Sequence, residues 1–315
     1  MNTLIKKFLR QTAIFLIVFA MLFAGIFYAV DHFNRESFKT YRLDNTVSLV
    51  FIGDSHIQLA INDSIVRNAV NLSQRSESYL FSYYKIASLL NSNPGIKRIY
   101  LGFGYHNIAS YYDEFISGHH SGDVSPAYFF ILPWRERIKF FRYNLLHLPN
   151  YLRSIMVTGV KNELSGRTYS YLGNYRNRFK KSKPGMTAME RRLSLQFNAN
   201  GKQNIFSDVN IHYLLQIIEL CRQRNIDLVM LNTPLFGYYK NSIPHEYLEK
   251  YDQIVNTYQL KVVDFHELPL SDSCFIPDGD HVSERGAALV SQYINRIEDQ
   301  ASLELSDGTL TTSRH

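Results

Sequence analysis

The chain has 315 residues, 45% of them apolar and 14% aromatic, enough for a packed core, so disorder is excluded as the default. Its formal charge of +6 is modest; it suits a membrane surface or an anionic polymer and is also ordinary for a soluble domain. The two cysteines, Cys221 and Cys274, build neither a disulfide framework nor a zinc site by themselves; one bridge is possible, and two separate buried thiols is the plainer reading.

Residues 1–10 form a short tail carrying Lys6, Lys7 and Arg10. From Gln11 to Val30 no residue is charged, and a helix over this stretch spans roughly 30 Å, the thickness of a bilayer's hydrocarbon core. The concentrated positive flank belongs in the cytoplasm, which sends the rest of the chain to the periplasmic or extracellular side of the cytoplasmic membrane. A cleaved signal peptide is the competing reading, but its apolar core is shorter and is followed by a small-x-small site. Ala20 to Ala24 offers no good one, so residues 11–30 are read as an uncleaved transmembrane anchor and 31–46 as a linker.

The stretch 47–300 alternates strand and helix patterns. Ser48 to Gly53 is a short apolar run ending in glycine, the pattern of a buried parallel strand. Arg98–Gly102, Asp227–Asn232 and the weaker Lys261–Asp264 repeat it. Between them, Leu80–Leu90 and Asp208–Arg222 space their apolar residues as helices, and Ser283 caps a last helix running to Ile297. Such alternation predicts βαβ units in a three-layer α/β/α fold with a central parallel sheet. An insertion at about 111–204 breaks the rhythm, and Arg167–Arg192 holds eight Lys or Arg against Glu190 alone. That block reads either as a solvated surface or as a collar facing lipid headgroups or an anionic polysaccharide. No nucleic-acid module is recognisable in it. Residues 301–315 are polar and read as a disordered tail.

Two short segments carry chemistry. Gly53-Asp54-Ser55-His56 lies at the carboxyl end of the first strand, where open α/β sheets gather ligands. There a serine hydroxyl meets backbone N–H groups able to hold an oxyanion. The polar loop Pro277–Gly286 offers the base that serine needs. His281 takes the proton and Asp278, three residues earlier, orients the ring. Asp280 competes with Asp278, but as an immediate neighbour of His281 it reaches back to the ring less readily. His119-His120 with Asp123 lacks further metal ligands and reads as a loop. No phosphate loop or dinucleotide fingerprint is present, so neither metal nor cofactor is expected.

Taken together, Gly-Asp-Ser near the start and Asp-x-x-His before the last helix resemble the first and last blocks of the SGNH (GDSL-type) hydrolase superfamily, over Val47 to about Ile297 apart from the insertion. The resemblance implies Ser55 as nucleophile, His281 as base and then acid, and Asp278 as orienter. It also implies oxyanion donors after the second and third strands. There Ser73 stands where the family usually has glycine, and Gly104 with Asn107 is the nearest match to its Gly-x-Asn, His106 competing. With the anchor, the likeness is to bacterial envelope proteins that add or remove acyl groups on polymers, often beside a multi-spanning membrane acyltransferase. A polysaccharide or other acylated envelope polymer is the expected substrate, by transfer or hydrolysis. A non-catalytic tethered binding protein is the alternative.

Overall fold

A computed structural model describes residues 3–165, 169–180, 183–199, 202–203 and 205–306. Five strands form one sheet: β1 (Leu49–Ile52), β2 (Ala69–Asn71), β3 (Arg98–Gly102), β4 (Asp227–Asn232) and β5 (Lys261–Asp264), in the order β2-β1-β3-β4-β5. All neighbours are parallel. Within β1, Leu49 and Phe51 point to one face and Val50 and Ile52 to the other, each into its own apolar cluster. Burial on both faces explains why the strands read as continuous apolar runs, and each such side chain contributes about 1.5–3 kcal/mol.

The principal helices are α1 (Thr3–Thr40), α2 (Ser55–Ala60), α3 (Tyr79–Ser92), α4 (Trp134–Tyr143), α5 (Leu148–Leu164), α6 (Met186–Phe197), α7 (Asp208–Gln223), α8 (His245–Tyr258) and α9 (Glu284–Ser306), with further short helices, among them Ser121–Tyr128, between them. One face of the sheet is covered by α3, α7 and α8, and the other by α2 and α9, giving three layers. Ser283 accepts from the Gly286 N–H at 3.4 Å and so caps α9. That helix continues to Ser306, past the point where a disordered tail was expected; the rest of that tail, 307–315, lies outside the described residues. Cys221 and Cys274 are both buried and unbridged.

α1 is the one helix, among the described residues, long and apolar enough to cross a membrane. It does not give way to a linker at residue 31. The same helix runs on to Thr40, because Asn34 and Phe38 on its last turns are buried against the domain. Phe38 meets Tyr169 of the insertion edge-on and Tyr171 at a tilt, and both tyrosines belong to a third apolar cluster with Phe129, Phe130 and Ile155.

In this strand order the direction of winding reverses between β1 and β3. The crevice outside their carboxyl ends is where such sheets bind ligands. Both Gly53 and Gly102 stand at that point, where the chains approach too closely for side chains. A Cβ on Gly102 would lie 2.6 Å from Ile57 Cγ1, and one on Gly53 would lie 2.8 Å from the same atom.

Candidate active site

β1 delivers Asp54 and Ser55 into this crevice. The Asp54 carboxylate accepts the His56 N–H at 2.8 Å and caps α2, so Ser55 is the first residue of that helix. Its own backbone N–H has no acceptor among the described residues. From the far end of the chain, the loop before α9 brings in Asp278 and His281. Gly279 allows the loop its turn, with φ at +64°, a conformation that favours glycine.

Ser55, His281 and Asp278 form one hydrogen-bonded line. The Ser55 hydroxyl lies 2.8 Å from His281 Nε2, and His281 Nδ1 lies 2.8 Å from Asp278 Oδ2. A proton on Nδ1 satisfies both contacts, with Nε2 free to accept from serine. The other Asp278 oxygen accepts the N–H groups of Asp280 and His281, each at 3.1 Å. Burial alone would raise the Asp278 carboxyl, but the His281 ring outweighs it by charge and hydrogen bond and holds it below its ordinary value. The line opens onto a cleft of about 340 Å³, walled by Arg75, Tyr111, Phe179, Arg192 and Ile276.

Asp280 takes a different position. It is fully buried, and its Oδ2 stands 3.9 Å from His281 Nδ1, beyond a hydrogen bond. Instead it accepts from Arg192 Nε at 2.6 Å and Gln196 Nε2 at 3.0 Å. His56 Nε2 comes within 3.2 Å of it without the alignment of a hydrogen bond. Burial raises the Asp280 carboxyl, but His56 and Arg192 outweigh this and hold it well below its ordinary value. Beyond His56 lies a second pair. His106 Nε2 is 2.8 Å from Asp54 Oδ2, which also accepts from Asn107 Nδ2 at 3.1 Å and from the Tyr112 hydroxyl. The His56 ring is thus packed between His106, on which it is stacked, and His281, to which it is tilted, with centroid separations of 3.9 and 4.4 Å. Burial, followed by the neighbouring His56, lowers the His106 pKa.

The residues expected to hold the oxyanion are placed otherwise. Ser73 is fully buried and does not line the cleft. Its N–H donates to Asn71 Oδ1 at 3.0 Å, and Gly173 of the insertion packs so tightly over it that a Cβ there would lie 1.8 Å from the Ser73 carbonyl oxygen. The Gly104 N–H donates to Asn107 Oδ1 at 2.7 Å, while the Asn107 amide is spent on Asp54 and Tyr112. Of the three, none offers a donor to Ser55. Donors that do border the cleft include the Ser55 N–H, the hydroxyls of Ser76 and Tyr111, and the arginines Arg75 and Arg192. Sequence reasoning missed Arg192, because it sits in the basic block; the rest of that block's described lysines and arginines are exposed, while Arg167 and Lys181 lie outside the described residues.

Asp54, His56 and His106 bring three potential metal ligands together, as do His56, Asp280 and His281. Within them His56 is stacked on His106, with 21° between the ring planes, and tilted by 37° against His281. His120 and Asp123 are exposed and pair only loosely, at 3.3 Å.

No family model and no curated protein matches the chain. Among solved structures it is similar to a "putative acylhydrolase" of Bacteroides fragilis, at 9% identity and a TM-score of 0.36 over 80% of this chain and 86% of that one. It is similar to a GDSL-like lipase of Bacteroides thetaiotaomicron at 8% identity and a TM-score of 0.37, over 84% and 90%. A Streptococcus pneumonia structure titled as a "putative platelet activating factor" aligns at 11% identity and a TM-score of 0.40, over 90% and 98%. In its parallel three-layer fold, its Gly53–Ser55 turn and its Asp278–His281 loop, the chain resembles the SGNH (GDSL-type) hydrolases.

Proposed function

We propose that this chain is a serine-dependent acyl-transfer enzyme, with Ser55 as nucleophile, His281 as base and acid, and Asp278 as orienter. The observation that carries this reading is the hydrogen-bonded line from Asp278 through His281 to Ser55, ending in an open cleft at the switch point of the sheet. Ser55 Oγ attacks the ester carbonyl as its proton passes to His281 Nε2. The tetrahedral oxyanion collapses, and His281 returns the proton to the departing alkoxide, leaving an acyl-serine. A second hydroxyl, deprotonated by His281, attacks that ester and frees Ser55. Asp278 keeps its proton-free state throughout and stabilises the imidazolium.

The acceptor in the second step decides between an esterase, which uses water, and an acyltransferase, which uses a sugar hydroxyl. We favour transfer or removal of an acyl group, acetyl in the first instance, on an envelope or exported polysaccharide outside the cytoplasmic membrane. The long apolar α1 supports this, as it suits an anchored enzyme working on a polymer beside a membrane partner such as a multi-spanning acyltransferase. Incubating the full chain in detergent with an acetyl ester and oligosaccharides tests it. Acetylated sugar in the mass spectrum is the transferase result and free acetate the esterase result. Neither product, with the chain folded, sinks both.

A non-catalytic binding role is the second reading, and one observation favours it: the N–H groups of Ser73 and Gly104 and the amide of Asn107 are already occupied inside the protein. On that reading Ser55 would show no reactivity towards an acyl or phosphonyl electrophile.

A further inference from the structure

We infer that α4, α5 and the turn joining them form a helical hairpin whose tip, Leu145–Leu146, is sunk in the outer leaflet of the bilayer that α1 crosses. The occupant of this surface is lipid, and the argument rests on where the hairpin sits against α1.

Both arms can be read off against α1. On α4, Arg137 Nη1 donates to Asp31 Oδ1 at 2.6 Å, at the first charged residue after the apolar run. One turn later Phe141 packs on Phe129 at 5.5 Å, and Phe129 meets Phe27 of α1 edge-on at 5.9 Å. Thus α4 descends along α1 towards the membrane. The other arm, α5, climbs back. Gly159 packs against Val30, where a Cβ would lie 2.4 Å from Val30 Cγ1. Asn162 donates to Asn34 at 2.8 Å, and Ser37 reaches Glu163 at 3.2 Å. Phe141 and Tyr151 meet edge-on across the hairpin at 5.9 Å. Leu148 lies roughly 16 Å below Gly159 along the α5 axis at 1.5 Å per residue, so the turn lies on the bilayer side of the Val30 level.

The side chains at that level suit lipid. Leu146 is 93% exposed and Leu145 65%, with Tyr143 exposed nearby. Exposed large apolar residues on one projecting tip mark an interaction surface. At the other end of α4, Trp134, 59% exposed, lies one turn to the water side of the Arg137–Asp31 pair, at the headgroup level where membrane proteins place Trp and Tyr. Arg135 is exposed beside it, placed to meet headgroup phosphates. Because Asn34, Phe38 and Arg137 clamp α1 to the domain, hairpin depth and anchor depth are set together.

The inference depends on α1 crossing the bilayer and is independent of the chemistry at Ser55. Trp134 is the chain's single tryptophan, so the double substitution Trp134→Phe/Leu146→Trp leaves one tryptophan that reports the depth of the tip. The full chain with this change is reconstituted into phosphatidylcholine/phosphatidylglycerol vesicles with and without acyl-chain-brominated lipid. Bromolipid is expected to remove more than half of the tip emission, while aqueous iodide quenches it weakly. Adding Leu145→Glu at the neighbouring exposed position is expected to remove most of the bromolipid quenching and leave the circular dichroism unchanged. A chain that resists alkaline extraction yet has its tip emission quenched freely by iodide and not by bromolipid overturns the hairpin alone. A chain that extracts overturns the anchor with it.

Discussion

On one side of the His281 ring, Ser55 and Asp278 line an open cleft; on the other, His56, His106, Asp54 and Asp280 are sealed beneath it. The open side is a single line of hydrogen bonds that can pass one proton. The sealed side is a crowded array in which each carboxylate serves several partners. Asp278 and Asp280 sit two residues apart in one loop and fall on opposite sides of this division. The difference teaches that nearness in sequence to the histidine does not settle which carboxylate orients it. The backbone turn at Gly279 does, by directing Asp278 to Nδ1 and Asp280 inward to Arg192.

The largest expected effect falls on the open side. Ser55→Ala and His281→Ala should each lower esterase or transfer turnover by roughly 10⁴–10⁶, and Asp278→Ala by roughly 10⁴, all with melting temperatures near the parent's. Loss of stability in step with activity would show that the open side is structural too.

Asp280→Ala should do the reverse. Removing it takes the carboxylate partner from the Arg192 guanidinium, and breaking such a buried pair costs about 3–5 kcal/mol. A drop in melting temperature of roughly 10 °C is expected, with fluorophosphonate labelling of Ser55 retained below it. If Asp280→Ala melts like the parent but no longer labels, the roles of the two aspartates are exchanged.

The sealed side should also respond to acid. Because the folded His106 pKa is depressed by burial and by His56, its contribution to stability is fully present above the unfolded value of about 6.5. It is lost as pH falls from there towards the folded value. The depressed carboxyls Asp54 and Asp280 follow the same sign at lower pH, present above their unfolded values near 4. His266, raised chiefly by its hydrogen bond to Asp264, acts oppositely, so the comparison must be made between variants. His106→Asn should narrow the gap in melting temperature between pH 7.5 and 5; an unchanged gap would assign the acid response elsewhere.

Gly102→Ala, at the switch point where both sides meet, should cost about 1–3 kcal/mol through its clash with Ile57. Its effect on turnover is expected to be smaller than that of any triad variant.

Much of the open side was legible in the sequence, because strand ends, a glycine and short spacings mark it locally. Four of the five strands read as apolar runs; β2 has only three residues, too few for a pattern, though Asn71 at its end anchors the loop that follows. The sealed side was harder to read. His56 stands next to Ser55 in the sequence, but nothing there shows it packed between two other imidazoles. The burial of Ser73 depends on Gly173, a hundred residues away in the insertion, and Arg192 looked like one more charge in a solvated block. The continuation of α1 to Thr40 was hidden for a similar reason: Asn34 and Phe38 are buried by partners that only the fold supplies.

The assignment of Ser55 as nucleophile is tested most directly by treating the full chain, folded in detergent, with a fluorophosphonate and locating the adduct by peptide mass spectrometry. One phosphonyl group on Ser55, absent from Ser55→Ala and strongly reduced in His281→Ala, is the expected result. A folded chain that stays unlabelled, or carries the label on another residue, would contradict it.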